Sequence, residues 1–336
     1  MTELKERIAA FTELGKRIDN LDAETATELF AKARSNNSWF TRESVESALK
    51  GIVNYLHEDK LTRWAEAYPV RNQNKKVGIV MAGNIPLVGF HDLLSVIISG
   101  NQAHIKLSSQ DTALMTYVVH ELINISPALE KQIIIRDQLK DIDAIIATGS
   151  DNTSRYFNYY FGKYPNIIRK NRTSCAVLTG SESDEDLARL GDDIFLYFGL
   201  GCRNVAKLYV PKGYKFDQFY AAIEPFKYVS DHHKYNNNYD YNKSIYLVNG
   251  VPHLDNGFLM LKEDNAMVSP ISVIFYEQYA SESELEALLE ANKEKIQCVV
   301  TNNNKRPDSV NFGDAQQPEV WDYADGVDTM KFLVTL

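Results

Sequence analysis

Cysteine is scarce in this chain of 336 residues: Cys175, Cys202 and Cys298 are the full set. Three is too few and odd in number for a disulfide framework, so free thiols in a reducing compartment are expected. Long apolar runs are also missing. None approaches the roughly eighteen residues that a membrane-spanning helix needs. The N-terminal stretch MTELKERIAAFTELGKRI is charged and amphipathic, with no apolar signal core. A soluble, cytoplasmic chain without a membrane span is the expectation. Basic residues are outnumbered, 36 Lys and Arg against 45 Asp and Glu, for a net charge of −9. A chain of that sign repels nucleic acid and anionic membranes as a whole, although one basic pocket for a phosphate-bearing cofactor remains compatible with it. There is no internal repeat and no G-x-G-x-x-G.

What is present is a sequence with two textures. Leu4, Ile8, Phe11, Leu14 and Ile18 recur at three- and four-residue steps and predict a helix. Asp22 and Thr41 are cap residues for two more helices, and Tyr68-Pro69 ends this helical region. From Val77 onward, short apolar runs alternate with helical patterns. Strands are predicted at 77–81, 103–107, 133–135 and 144–147, with helices at 89–99 and 112–125. Beyond Lys170 a second such unit follows: strands at 175–179, 205–210, 245–248, 271–276 and 299–301, and helices at 184–194 and 281–294. Ser281 and Glu284 have the spacing of a capping box. Asn236 to Asn238 and Asn302 to Asn304 are expected in loops. Strands alternating with helices at this spacing imply α/β architecture with parallel, doubly wound sheets.

Most lone cysteines are small buried hydrophobes, and that reading suits Cys175 and Cys298, each beside or within an apolar strand. Cys202 differs. It stands in Phe198-Gly199-Leu200-Gly201-Cys202-Arg203-Asn204, after a helix and before a strand, where two glycines allow a tight turn and an approachable thiol. Gly149-Ser150, between a strand and a helix, offers backbone N–H groups to a pyrophosphate. Lys106 at a strand end suits a ribose or phosphate, with a solvated lysine as the alternative.

Four stretches together resemble the aldehyde dehydrogenase superfamily, in a shortened form similar to the LuxC-type acyl-CoA (fatty acid) reductases. They are Ala82-Gly83-Asn84-Ile85-Pro86-Leu87, the strand from Gly100-Asn101 to Lys106-Leu107-Ser108, Thr148-Gly149-Ser150, and Phe198 to Arg203. The tail stretches Asn311 to Gln316 and Trp321 to Thr329 look like the reductase branch. The resemblance implies an aldehyde-dehydrogenase-like fold of two doubly wound α/β domains with an N-terminal helical segment. The implied boundaries are 1–70 for that segment, packing on the cofactor domain, 71–172 for the cofactor-binding domain, 173–310 for the catalytic domain and 311–336 for a C-terminal segment.

The resemblance implies that Cys202 attacks an acyl-CoA and holds the acyl group as a thioester. The Asn84 side chain and the Cys202 N–H would receive the oxyanion. Without the resemblance, Asn84 is a turn residue shortly before Pro86. Lys106, Ser108, Ser109, Gly149 and Ser150 are the implied cofactor contacts. NAD-preferring relatives carry a glutamate where Ser109 stands, and a serine leaves room for a 2′-phosphate, so NADPH is the expected cofactor.

Two departures from the superfamily pattern bear on the reaction. Its general-base glutamate has no counterpart in Arg169-Lys170-Asn171-Arg172-Thr173-Ser174, which favours reduction over hydrolysis of the acyl-enzyme. Its ribose-binding glutamate is missing from Ala266-Met267-Val268-Ser269-Pro270. His232-His233 could relay a proton or belong to a polar loop, and metal binding is not expected, since adjacent histidines face apart. The alternatives to acyl-CoA reduction are an acyl-phosphate reductase, an aldehyde dehydrogenase and a non-reducing acyl-binding scaffold. A homo-oligomer and an acyl-protein synthetase partner are implied by the resemblance alone.

Overall fold

The computed structural model describes residues 2–149, 151–302, 306 and 309–336, with the backbone alone at 151–154 and 158. Helical periodicity near the N-terminus produces α1 (Leu4–Asp19), which buries Ile8, Phe11, Leu14 and Ile18. The caps act as expected. Asp22 accepts the Glu24 and Thr25 N–H groups to open α2 (Ala23–Asn36), and Thr41 accepts the Ser44 N–H to open α3 (Arg42–Tyr55). α4 (Glu58–Glu66) stops just short of Tyr68-Pro69.

The chain then winds a parallel sheet: β1 (Lys76–Val80), α5 (Phe90–Ile98), β2 (Gln102–Lys106), α6 (Thr112–Ile125), β3 (Ile133–Ile135), β4 (Ala144–Thr148), α7 (Asp151–Phe161) and β5 (Asn166–Arg169). The strand order is β3-β2-β1-β4-β5, and every neighbouring pair is parallel. The winding direction reverses between β1 and β4. In sheets of this kind, ligands bind outside the carboxyl ends of the strands at that reversal. α5 is apolar around nearly its whole circumference and shares one core with α1, α3 and α6, so the N-terminal helices and the sheet are a single packed body.

The second sheet forms from β6 (Thr173–Val177), α8 (Asp184–Phe195), β7 (Val205–Pro211), α9 (Asp217–Ile223), α10 (His233–Val248), β8 (Leu254–Asp255), β9 (Met260–Glu263), β10 (Val273–Tyr279), α11 (Glu282–Asn292) and β11 (Ile296–Val300). Its order is β11-β6-β7-β10-β9-β8, parallel except for β8 against β9. The chain divides into two units, Arg172–Gln317 and Met1–Asn171 with Pro318–Leu336. The C-terminal segment expected over 311–336 is thus split, and its later part, including α12 (Thr329–Val334), belongs to the first unit. There Val320, Met330 and Leu333 join the core.

Three local expectations fail for physical reasons. The predicted strand 245–248 is the last turn of α10. Four apolar residues in a row cannot separate strand from helix, whereas Tyr235, Tyr239, Asn242 and Tyr246 bury at helical steps. The same helix absorbs Asn236 to Asn238, which were expected in a loop. At α11, Ser281 accepts the Glu284 N–H, but the Glu284 carboxylate takes the Ala280 N–H, so the reciprocal bond of a capping box is not made. β5, β8 and β9 are short strands that the apolar pattern does not mark.

Candidate active site

In the first unit, the expected cofactor residues gather at strand carboxyl ends. β1 runs into the turn 82–87, β2 ends at Lys106, and β4 ends at Thr148 with Gly149 next. The Met81 N–H donates to the Lys106 carbonyl at 3.1 Å, tying the first two ends together. A Cβ on Gly83 would lie 2.4 Å from Ser108 Oγ, so glycine is required for the turn to lie against Ser108. Lys106, Ser109 and Asn84 are exposed at this edge. Ser108 is half-buried, and its hydroxyl accepts the Gln110 N–H at 3.3 Å, so it shapes the turn as well as lining it. Ser150 lies outside the described residues. Asn101, in the glycine-asparagine stretch, is structural: Gly100 closes α5 at φ 85°, while Asn101 accepts the Lys75 N–H and donates to Ser99.

The turn that carries Asn84 is held from both sides. Asn37 Nδ2, at the end of α2, donates to the Gly83 carbonyl at 3.1 Å. Leu87 adopts φ 59°, and its N–H donates to Asp111 Oδ2 at 2.7 Å. Asp111 is 1% exposed. Burial pushes its carboxyl up to about 7, partly offset by the Leu87 N–H. Asn37 and Asp111 escape the sequence reading. Asp111 looks like an N-cap because it precedes a helix, yet its side chain makes no capping bond to α6.

Arg169, the first residue of the stretch compared with the superfamily's general-base turn, is buried at the end of β5. Its guanidinium pairs with Asp92 of α5 at 2.6 Å and donates to Thr329 Oγ1 at 3.1 Å and Thr148 Oγ1 at 3.4 Å. A cation already paired this way cannot act as a general base.

In the second unit, Cys202 sits in a coil between α8 and β7 and is half-buried. Tyr197, Phe198 and Gly199 all take left-handed backbone angles just before it, at φ 58°, 57° and 78°. For each non-glycine residue this costs about 1–2 kcal/mol and is sustained only by surrounding bonds. Asn204 ties the chain on either side of this run. Its carboxamide donates to the carbonyls of Asp193, Ile194 and Leu196, the orphan acceptors at the end of α8, and accepts the Gly201 N–H at 2.8 Å. Ser174 Oγ, fully buried on β6, donates to the Cys202 carbonyl at 3.1 Å and meets Cys298 Sγ at 3.0 Å. The peptide groups flanking the thiol are therefore fixed by side chains on both sides.

Burial pushes the Cys175 thiol up, and it does the same to Cys298, with Arg203 partly offsetting the latter. Neither suits a thiolate role. His232 caps no N–H with its side chain at the start of α10; its ring lies 4.7 Å from that of Phe198 and stacks on His233 at 5.3 Å. His232 is the extended residue before α10 and His233 the first residue of that helix, and their rings stack rather than face apart. Among the described residues no group of three or more His, Cys, Asp or Glu could hold a metal ion. Met267, in the stretch lacking the ribose-binding glutamate, is buried and accepts the Tyr209 hydroxyl. Asp193 accepts the Gly313 and Ala315 N–H groups, and burial pushes its carboxyl up to about 7. No helix among the described residues is long and apolar enough to cross a membrane.

Comparison with known proteins adds a family and a fold. The family model described as acyl-CoA reductase (LuxC) matches residues 4–220, well over half of the chain. A long-chain acyl-protein thioester reductase of Aliivibrio fischeri is 26% identical over 188 residues, 49% of this chain and 39% of that protein. The match thus spans about two fifths of the length of that curated relative. Aldehyde dehydrogenase 21 of Physcomitrella patens, solved with the reaction product succinate, superposes with a TM-score of 0.69 at 14% identity, covering 99% of this chain and 84% of that one. An NADP-dependent glyceraldehyde-3-phosphate dehydrogenase of Bacillus halodurans, complexed with NADP, gives 0.63 at 14% identity, over 91% and 75%. At such identities the likeness shows the aldehyde dehydrogenase fold.

Proposed function

Because the chain belongs to the LuxC family of acyl-CoA reductases, we propose that it reduces a fatty acyl thioester to the aldehyde, with NADPH as cofactor and Cys202 as nucleophile. Oxidoreductase chemistry on an aldehyde or acyl group is common to this family and fold. Cys202 attacks the acyl carbon; its carbon–sulfur bond forms as the bond to CoA breaks, and CoA leaves as a thiolate that takes up a proton. NADPH, when bound, supplies the hydride that reduces the thioester carbon. Collapse then breaks the bond to Cys202, releasing the aldehyde and the free thiol. Asn84 and the Cys202 N–H are assigned to the oxyanion by the resemblance, and preorganised donors of that kind contribute about 10²–10³ in rate.

The observation that carries this reading is Arg169. The stretch 169–174 holds no carboxylate, and its first residue is a buried cation paired with Asp92. Without a base there to activate water, the acyl-enzyme is left for hydride or for return to CoA. The first unit supports a dinucleotide there: Lys106, Ser108, Ser109 and Gly149 stand at or follow the carboxyl ends of β2 and β4, beside the winding reversal. Ser109, rather than a carboxylate, supports the choice of NADPH. The Aliivibrio relative is named for a protein-bound acyl thioester, so acyl groups delivered by an acyl-protein synthetase belong to the same proposal, as does a homo-oligomer. The test is NADPH absorbance across a series of acyl-CoAs, with Cys202→Ser as control and mass spectrometry for the acyl adduct without NADPH. NADPH loss with an adduct on wild type alone supports the proposal. An adduct without NADPH loss would identify an acyl carrier instead.

A further inference from the structure

We infer that Asp111 is a positioning residue for Asn84, acting by holding the Leu87 N–H at the far end of the turn that carries it. This rests on the reading of Asn84 as an oxyanion donor. A leucine in the left-handed region is strained, and the 2.7 Å bond to Asp111 is the bond its N–H makes. Asp111 obtains little in return. It stands before α6, where a capping bond would be stabilising, and makes none. It is 1% exposed, and its Oδ1 has no hydrogen-bond partner among the described residues. Leaving such an atom unpaired is destabilising.

The orientation that leaves Oδ1 unpaired is the one that brings Oδ2 to Leu87. At the near end of the same turn Asn37 holds the Gly83 carbonyl. Between these two fixed points Asn84 is exposed. Both the turn 82–87 and the turn 108–112 around Asp111 lack a charged group that contributes to its ionisation. Burial and the Leu87 N–H alone set it, so Asp111 acts through one directed hydrogen bond and not through a neighbouring charge.

The experiment compares Asp111→Ala, Asp111→Asn and Asn84→Ala in the full chain. Deuterium uptake of the peptide spanning 82–90 should quicken about tenfold or more in Asp111→Ala and stay near wild type in Asp111→Asn, which keeps an acceptor. The initial rate of Cys202 acylation by an acyl-CoA should fall about tenfold or more in Asp111→Ala, as it should in Asn84→Ala, with the NADPH Kd within about twofold, since misplacing a group by an ångström costs on the order of a hundredfold. Asp111→Asn should recover most of that rate. Unchanged uptake in Asp111→Ala would overturn the inference. So would quickened uptake with full acylation while Asn84→Ala is slow. Wild type without an adduct, or Asn84→Ala at full rate, would count against the proposed function, and the uptake comparison would still decide whether Asp111 holds the turn. If Asp111→Ala does not fold, adding Leu87→Gly removes the left-handed strain, and the double variant should still show fast uptake.

Discussion

Burial raises both Asp111 and Asp193 to about 7. Between the ordinary carboxylate range near 4 and about pH 7, the folded chain therefore binds more protons at these two sites than the unfolded chain does. By linkage, their contribution to stability is present at the acid end and is lost as pH rises through that window. His104 works in the opposite sense. Burial, together with the nearby Arg136 and Lys76, lowers its value below 6.5. The unfolded chain then holds the extra proton, and stability falls as pH drops below about 6.5. These contributions separate by substitution. The difference in thermal midpoint between Asp111→Asn and wild type should move in the variant's favour from pH 5 to pH 8. His104→Gln should lose part of the acid-side decline. Parallel curves for wild type and either variant would show that the group does not titrate in that range.

At the scale of elements, the coil that carries Cys202 is held by a network that the sequence barely announces. Asn204→Ala takes away the acceptor of the Gly201 N–H and a donor to the carbonyls at the end of α8. A loss of at least about 2 kcal/mol in urea unfolding is expected, with faster iodoacetamide labelling of Cys202 as the coil loosens. An unchanged midpoint would mean that water replaces these bonds freely. Ser174→Ala should be milder, about 1 kcal/mol, since it removes one hydroxyl with its bond to the Cys202 carbonyl and its weaker contact with Cys298 Sγ. The contrast between Cys202 and Asn204 shows what local sequence can carry. Cys202 is visible because two glycines and a helix-to-strand change surround it. Asn204 is not, because its partners lie on α8 eight to eleven residues back and become neighbours only when the chain doubles over itself. Asn37 and Asp111 are further cases, joined to the turn 82–87 across long stretches of chain. Elements show the same division. α6 keeps its expected bounds, because Leu114, Met115, Val118, Val119 and Leu122 repeat at helical steps. The run 245–248 reads as a strand because its four residues are apolar or aromatic in a row, whereas the helical spacing of Tyr235, Tyr239 and Tyr246 shows only over the longer stretch.

At the scale of the molecule, two α/β units are formed by one chain that leaves the first and returns to it. Lys60 meets Glu319 at 2.6 Å, His91 meets the Val320 carbonyl at 2.8 Å, and Thr329 meets Arg169. With Val320, Met330 and Leu333 fully buried, Pro318–Leu336 is an integral part of the first unit. Deleting it removes three core side chains, each contributing about 1.5–3 kcal/mol. The first unit should then lose its cooperative transition and be cut by protease before residues 172–317. Equal resistance of the two units would contradict this. The central claim concerns Cys202 and the fate of the acyl group it takes. The most direct measurement is a single-turnover experiment. Protein is first acylated by an acyl-CoA, freed of excess substrate and confirmed by mass spectrometry to carry the adduct at Cys202. NADPH is then added, and absorbance and adduct are followed together. The account predicts one aldehyde formed and one NADPH consumed for each adduct lost, with hydrolysis negligible beside reduction. Loss of the adduct to free acid at a rate indifferent to NADPH would contradict it.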